Sequence, residues 1–218
     1  MEPWASNQLL EDAIINFESW LGDEGGLAFA ETEATAFITG TGVKSPRGIA
    51  SYSFTADATW AAAPATYWGT VGYTTSGKSG AWADTNPADA LITLQHALKP
   101  VYRNNAAFLM NDATAATIRK FKNGMGDYIW QPSVQAGIPP LLFGKPVEID
   151  ENVADITTNT YSIFFGDFRR AYRIVDRRGI AVIRDNITRK GYTKFFLTRR
   201  VGGGIKNFEA IKAMKFSA

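Results

Sequence analysis

The chain has 218 residues, of which 45% are apolar and 20% are charged, so it can bury the core of one large domain or two modest ones. It has no cysteine, no run of about 18 apolar residues and no apolar segment near its N-terminus, so we expect no disulfide, membrane span or secretory signal peptide. The formal net charge of +2 divides unevenly, because residues 1–164 carry 9 basic and 17 acidic side chains whereas residues 165–218 carry 14 basic and 4 acidic ones.

A long helix is the first predicted element, over residues 6–39. Ser6 is a suitable N-cap, apolar residues then recur at spacings of three and four, and Gly40 is a natural stop. The stretch GDEGG at 22–26 lies in the middle of this helix. Each glycine in a helix costs roughly 1 kcal/mol relative to alanine, so we expect a bend or a break there.

Short strands and two helices fill the middle of the chain. The loop TGTGVKSPRGIA is followed by the strand-like segments SYSF and ATYWGTVGY. Helices are predicted over 86–100 and 112–123, with the short buried strand AAFLMN between them. Asn86 is the candidate cap of the first helix, and Asp112 or Thr114 that of the second.

The last third of the chain is predicted as strands over 161–168, 171–176, 179–185 and 192–201. The segment DRRG is typical of a tight hairpin between the second and third of them. A helical turn and a last strand close the chain. This order favours an α+β fold with antiparallel sheets over a series of βαβ units.

The segment GYTTSGKS, residues 72–79, matches the phosphate-binding pattern G-x-x-x-x-G-K-[ST]. Such a loop follows a strand and opens directly into a helix, whose N-terminus faces the phosphates. Here Gly80 and Pro87 delay the next helix until about Asn86. We therefore interpret the match as a coincidence in a connecting stretch, and a nucleotide binder using Gly72–Ser79 is the least favoured function.

No other motif predicts catalysis. His96 is the only histidine and lies on a predicted helix, so a histidine metal cluster is excluded. No G-x-S-x-G nucleophile elbow occurs, and Asp150 and Glu151 are typical of a solvated turn. We expect no catalytic residue, no metal and no cofactor.

The uneven charge leaves three interpretations open. The acidic and basic parts face each other within or between subunits, or the basic C-terminal quarter binds nucleic acid, or both are solvated faces. Asp167, Asp176 and Asp185 are interleaved with the arginines of that quarter. A dedicated nucleic-acid-binding protein would show a cleaner basic stripe, so we keep that function as the alternative.

Four segments, in this order, resemble the major capsid protein of tailed phages, the HK97-fold family. PWASNQLLEDAIINFESWLGDEGGLAFAETEATAFITGTG resembles its long "spine" helix, and GTGVKSPRGI (40–49) resembles the loop that follows. FFGDFRRAYRIVDRRGIAVIRD (164–185) resembles its Gly-Asp-Phe strand pair, and TRRVGGGIKNFEAIKAMKFSA resembles its closing segment. Each segment alone is unspecific, but four in the right order are specific. The match corresponds to the C-terminal two-thirds of the family's subunit.

The resemblance implies an HK97-like capsid fold: a spine helix over 6–39, a peripheral antiparallel sheet and a mixed α/β axial domain. It places the peripheral domain at 1–75 and 176–205 and the axial domain at 76–175 and 206–218. It implies a structural subunit, not an enzyme, that self-assembles into pentamers and hexamers of an icosahedral phage or prophage head. The implied partners are further copies of the chain, packaged DNA bound non-specifically on the inner face, and scaffold, protease and portal proteins. The implied location is the virion, and the host cytoplasm during assembly.

Family subunits carry an N-terminal arm and an extended loop before the spine helix, whereas this chain begins almost at that helix. We therefore expect a truncated or processed piece, with Met1 as an added start. A cross-linking lysine of some relatives lies in that loop, so no cross-linking residue is assigned.

We hypothesise that acids of the spine helix meet bases of the late strands, within one subunit or between neighbours. The acidic set is Glu11, Asp12, Glu18, Asp23 and Glu24, and the basic set is Arg177, Arg178, Arg189, Lys190, Arg199 and Arg200. A shell is built from such side-by-side complementary contacts.

Overall fold

The computed structural model describes residues 2–12, 17–130 and 141–218, and the side chains of residues 11, 12, 17 and 18 are not described. Within these residues the helices are α1 (Asn7–Asp12), α2 (Phe17–Thr39), α3 (Asp57–Ala62), α4 (Ala88–Ala97), α5 (Pro100–Arg103), α6 (Asp112–Arg119) and α7 (Phe168–Ala171). The strands are β1 (Trp4–Ser6), β2 (Ser53–Ala56), β3 (Thr70–Thr75), β4 (Gly77–Lys78), β5 (Ala81–Trp82), β6 (Ala107–Met110), β7 (Leu141–Leu142), β8 (Lys145–Ile149), β9 (Tyr161–Gly166), β10 (Tyr172–Asp185), β11 (Tyr192–Ile205) and β12 (Ile211–Lys215).

Both ends of the predicted spine helix, 6–39, are helical in the structure, as α1 and α2. Ser6 caps α1, because its Oγ accepts a hydrogen bond from the backbone N–H of Leu9 at 3.2 Å. At the other end α2 stops at Thr39, directly before Gly40. The expected break at GDEGG is wrong, since α2 runs through 22–26 without interruption. Residues 13–16, between α1 and α2, lie outside the described residues.

Two glycines allow the loop after α2 to fold back against the end of that helix. A Cβ on Gly40 would lie 2.3 Å from the carbonyl oxygen of Pro46 and 2.4 Å from that of Ala36. A Cβ on Gly48 would lie 2.4 Å from the carbonyl oxygen of Ile38. The backbone N–H of Gly48 donates to the carbonyl of Gly40 at 2.8 Å. This backbone contact therefore requires residues without a side chain.

Besides the short antiparallel pair β4–β5, the described residues form a three-stranded and a larger, seven-stranded sheet. The three-stranded sheet has the strand order β1-β11-β10 and is antiparallel throughout. The expected hairpin at DRRG is wrong, because β10 is one strand that pairs with β11 from Tyr172–Ile205 to Asp185–Lys194. The register shifts on both sides of Arg178, so DRRG forms bulges within the ladder. The chain turns instead after Asp185, and Gly191 closes that turn with a φ of 81°.

The larger sheet has the order β2-β3-β12-β9-β6-β8-β7 and is mixed. Its parallel pairs are β2–β3, β3–β12 and β6–β8, and the other pairs are antiparallel. Phe165 on β9 joins a core that includes Leu91 and Ile118, whereas the adjacent Phe164 joins a second core with Trp60 and Phe208. Because β9 is buried on both faces, its sequence is a continuous apolar run rather than an alternating one.

The two central helices are confirmed, but their caps are not the expected residues. Asn86 has a φ of 48° and its backbone carbonyl, not its side chain, accepts the N–H of Asp89 at 3.0 Å. The N-cap of α6 is Asn111, whose Oδ1 accepts the N–H of Thr114 at 2.9 Å.

The division into peripheral and axial domains stays a prediction. The expected peripheral range, 1–75, includes β2 and β3. In the structure these two strands belong to the larger sheet, together with β12 of the expected axial range. The three-stranded sheet packs through Phe195 and Leu197 against Leu21 of α2, in a small core of its own.

Candidate functional site

The GYTTSGKS segment is not built as a phosphate loop. Its first residues lie in β3, between β2 and β12, so they form part of a central strand and not the expected connecting stretch. Ser76 is buried, and its hydroxyl lies 2.9 Å from the carbonyl of Lys78 and 3.0 Å from that of Ala81. The ammonium group of Lys78 is 2.5 Å from Asp84 Oδ1. The next helix begins only at Ala88, so the stretch does not open directly into a helix as a phosphate loop does.

The other candidate chemical groups have structural contacts. His96 Nδ1 lies 3.3 Å from a guanidinium nitrogen of Arg103. The Asp150 carboxylate accepts the backbone N–H of Asn152 at 2.9 Å, and Glu151 accepts that of Asp112 at 3.3 Å. In the part of the chain that the structure describes, no three acidic or histidine side chains are placed to hold a metal ion. None of the helices described is both long and apolar enough to cross a membrane.

A groove of about 640 Å³ lies between α2, the loop after it and the paired strands β10 and β11. Its walls are apolar, from Phe29 and Ala36 on α2 to Val175 and Val201 on the strands. Its charged side chains are one acid and four bases: Glu33, Lys44, Arg177, Arg199 and Arg200. This groove therefore combines apolar contact area with a positive charge excess, as an interaction surface does.

Arg199 links the walls of this groove. One guanidinium nitrogen lies 3.1 Å from Glu33 Oε2 on α2, and the other lies 3.1 Å from Asp176 Oδ2 on β10. Glu33 is largely buried, so this pair is less screened than a surface ion pair. The Nε of Arg199 is buried, and no hydrogen-bond partner for it is found among the described residues. Arg199 therefore holds the spine helix against the three-stranded sheet.

The structure brings together only part of the hypothesised charge sets. A spine acid meets a late-strand base, but the acid is Glu33, which is not in the acidic set. Asp23 and Glu24 are exposed on α2, while the side chains of Glu11, Asp12 and Glu18 lie outside the described residues. Phe29, Glu33 and Ala36 are four and three positions apart, so they lie on one face of α2, and all three line the groove. This helical spacing is the sequence signal that could have placed Glu33 in the acidic set.

The basic set is spread over the hairpin of β10 and β11. Arg177 and Arg200 line the groove beside Arg199, and Arg178 is the register partner of Arg200. Arg189 and Lys190 lie in the exposed turn, where the Arg189 guanidinium covers the ring of Tyr192 at 4.2 Å. The set therefore marks one long surface rather than one cluster.

The same hairpin exposes many apolar side chains. On β10 they include Ile174, Val175, Val182 and Ile183, all more than half exposed. β10 is also an edge strand of 14 residues, so one side of its backbone is free to pair. Contiguous apolar surface on a long edge strand is typical of a protein interface.

Comparison with known proteins shows which family and which solved structures this chain resembles. The model of the Phage capsid family matches residues 3–216. The capsid of an empty GTA particle, computed with C5 symmetry, is 40% identical with a TM-score of 0.91, over 100% of this chain and 72% of that one.

More distant structures share the fold alone. A structure from Gordonia phage Cozz is 14% identical with a TM-score of 0.59, over 100% of this chain and 69% of that one. The holo-SrpI encapsulin complex of Synechococcus elongatus is 12% identical with a TM-score of 0.62, over 99% of this chain and 71% of that one. No curated protein sequence matches the chain.

Proposed function

Because this chain belongs to the phage capsid family, we propose that it builds the closed shell of a phage-like particle from repeated copies of itself. It is a structural capsid subunit with the HK97-type fold, and the sequence-based identification of family, fold and function is confirmed. It is accordingly a component of a virion. The observation that carries the proposal is the 40% identity to a GTA capsid over the whole chain.

The subunits form rings of five and six. The related GTA capsids were computed with C5 symmetry, which supports the five-membered ring. A ring needs a heterologous contact, in which one surface of a subunit meets a different surface of the next. We infer that the larger sheet with its helices forms the axial domain around the ring axis and that α2 with the three-stranded sheet forms the peripheral domain. This assignment moves β2 and β3 from the expected peripheral range 1–75 to the axial domain, and the first residues of β10 from the expected axial range 76–175 to the peripheral domain.

The charged surfaces supply part of this contact. Within a subunit Arg199 joins α2 to the strands, and between subunits the other bases of the groove receive an exposed acid of a neighbour's α2, such as Asp23. A single exposed ion pair contributes at most about 1 kcal/mol, so the network sets register more than affinity. The interface residues of this proposal are the acidic and basic sets defined from the sequence, with Lys44 added. Glu33 and Arg199 act within the subunit, where they join α2 to the strands.

Other partners follow from a shell that encloses a genome. Packaged DNA contacts the inner face through non-specific phosphate interactions, which weaken as salt concentration rises. Scaffold, protease and portal proteins act with the subunit during assembly in the host cytoplasm. The subunit has a structural role rather than a catalytic one.

Light scattering across a concentration series, with negative-stain images of the same samples, tests the proposal. We expect rings of five or six subunits, or closed or tubular assemblies. A chain that stays monomeric at every concentration would contradict self-assembly by these residues.

A pair of charge reversals tests the groove separately. Arg177→Glu with Arg200→Glu leaves Arg199 and its two ion pairs in place, and we expect it to suppress assembly without loss of folding. The matched control, Lys120→Glu with Lys122→Glu, makes the same charge change at exposed positions outside the groove. Equal assembly by both variants would remove the groove from the proposal.

A further inference from the structure

We propose that the turn between β10 and β11 is an apolar knob that docks into a cleft beside β1 of a second copy of this chain. This inference rests on the proposed shell function and names two surfaces that meet. The knob is Ile187 with Arg189 and Lys190. The cleft is formed by Trp4, Leu9 and Trp20, with Gly25 and the acids Glu2 and Glu24.

The knob is held in a defined shape. The Asp185 carboxylate accepts the backbone N–H groups of Ile187 at 2.9 Å and Thr188 at 3.2 Å, and also the Thr188 hydroxyl. The backbone N–H of Tyr192 donates to the carbonyl of Arg189 at 3.2 Å, which closes the other side of the turn. This turn nevertheless leaves the Ile187 side chain 87% exposed. A pre-ordered turn with an exposed isoleucine loses little conformational freedom on binding.

The cleft has the complementary chemistry. It encloses about 620 Å³ next to β1, and its large side chains Trp4, Leu9 and Trp20 are 44%, 50% and 50% exposed. A cleft that exposes large apolar side chains and has acidic residues at its edge can receive an apolar side chain of another protein. Tryptophans are also the side chains that most often dominate interface energies.

Charge determines the direction of docking. The cleft carries Glu2 and Glu24, whereas the knob carries Arg189 and Lys190 beside Ile187. Glu2 already pairs with Lys194 of its own subunit, so Glu24, exposed on α2, is the acid available to an incoming base. Because the knob is basic and the cleft is acidic, a knob attracts a cleft. Two knobs would repel each other, and so would two clefts, so neither of these pairings is favoured.

The occupant is a second copy rather than the same chain. The 87% exposure of Ile187 means that the knob does not fill the cleft of its own subunit. Knob and cleft are neighbouring surfaces of one subunit, because the backbone N–H of Asn7 donates to the carbonyl of Gly191 at 3.0 Å. In a heterologous contact the knob of one copy enters the cleft of the next, and the contact repeats from subunit to subunit. A contact of this type closes into a ring when its rotation allows, as a shell requires.

Cysteine cross-linking tests the contact directly, because the natural chain has no cysteine. Two single variants, Ile187→Cys and Leu9→Cys, are mixed at a concentration that supports assembly and exposed to mild oxidation. We expect disulfide-linked dimers in this mixture. In the control mixture Val101→Cys, at an exposed apolar position on α5, replaces Ile187→Cys, and we expect at least about tenfold fewer dimers.

Light scattering on the same samples separates the two proposals. Assembly without the Ile187–Leu9 cross-link would overturn the knob contact and leave the shell function intact. Absence of both would overturn both. As a second measurement, Ile187→Asp should raise the concentration needed for assembly by about tenfold or more relative to Val101→Asp, as loss of an interface hot spot does. Equal shifts for the two variants would contradict the knob.

Discussion

Removing Asp57 should destabilise the fold strongly, because it would leave the ammonium group of Lys212 buried without its partner. The Lys212 side chain lies on β12 in the larger sheet and is 3% exposed. Its Nζ is 2.5 Å from Asp57 Oδ1 and 3.9 Å from the centre of the Trp60 ring. Gly72 of β3 leaves room for it, since a Cβ there would lie 2.6 Å from the same nitrogen.

Substituting Asp57 and substituting Lys212 should lower the free energy of unfolding by different amounts. Breaking a buried ion pair by removing one partner costs about 3–5 kcal/mol, and Asp57→Ala should fall in this range because the ammonium group cannot reach water. Lys212→Met should cost only about 1–3 kcal/mol, because methionine keeps the apolar packing and the Asp57 carboxylate is 21% exposed. In the double variant no unpaired buried charge remains. We therefore expect a coupling of about 3 kcal/mol between the two positions, which places the double variant between the two single variants.

Urea denaturation followed by far-UV circular dichroism measures these differences, with the three variants and the parent at the same pH. We expect Asp57→Ala to lower the free energy of unfolding most and the double variant to lower it less. Lys212→Met should lower it least, or by as much as the double variant. The reasoning would be refuted if Asp57→Ala cost less than about 1 kcal/mol, or if the two single effects were additive.

Three further predictions follow from the structure. Gly22→Ala and Gly26→Ala should each stabilise the chain by about 1 kcal/mol in urea denaturation, because a Cβ at either position meets nothing within 4 Å in α2. Gly40→Ala is the matched control and should destabilise, since its Cβ would meet two backbone oxygens; a loss at all three positions would contradict the argument. Burial, with a smaller effect from the phenol of Tyr52, raises the pKa of Tyr172 from its ordinary 10.0 to about 12. The folded state then holds this proton more tightly than the unfolded state, so stability should fall as pH rises from about 10 to about 12. Tyr172→Phe should remove part of this decline between about pH 10 and about pH 12, and an unchanged slope would contradict the assignment. Finally, calorimetry with Mg·ATP should detect no binding to the parent or to Lys78→Ala, and binding that Lys78→Ala abolishes would restore the phosphate-loop interpretation.

Local signals predicted most of the elements and the family. Ser6 and Gly40 delimit the spine helix because a cap and a stop act on residues within one helical turn. The continuous apolar run of β9 and the helical spacing of α4 also depend only on near neighbours in sequence. The four family-like segments required only their order along the chain, so no contact had to be known.

The long-range pairings could not be predicted in this way. DRRG has the composition of a turn, yet the 14-residue ladder with β11 keeps it within one strand and accommodates it as bulges. GYTTSGKS has the composition of a phosphate loop, yet pairing with β2 and β12 makes its first half a central strand. In both cases many backbone hydrogen bonds to distant segments outweigh a local preference of about 1 kcal/mol per residue.

Which interface residues pair, and which are exposed, was also decided by the tertiary structure. The sequence by itself determined an acidic spine helix and a basic C-terminal quarter, and hence that opposite charges are available to meet. Only the fold decided that Glu33 pairs with Arg199 and that Ile187 stands exposed above a turn. The physical reason is that charge and hydrophobicity are properties of residues, whereas burial and ion pairing depend on which distant segments the folded chain brings within a few ångströms.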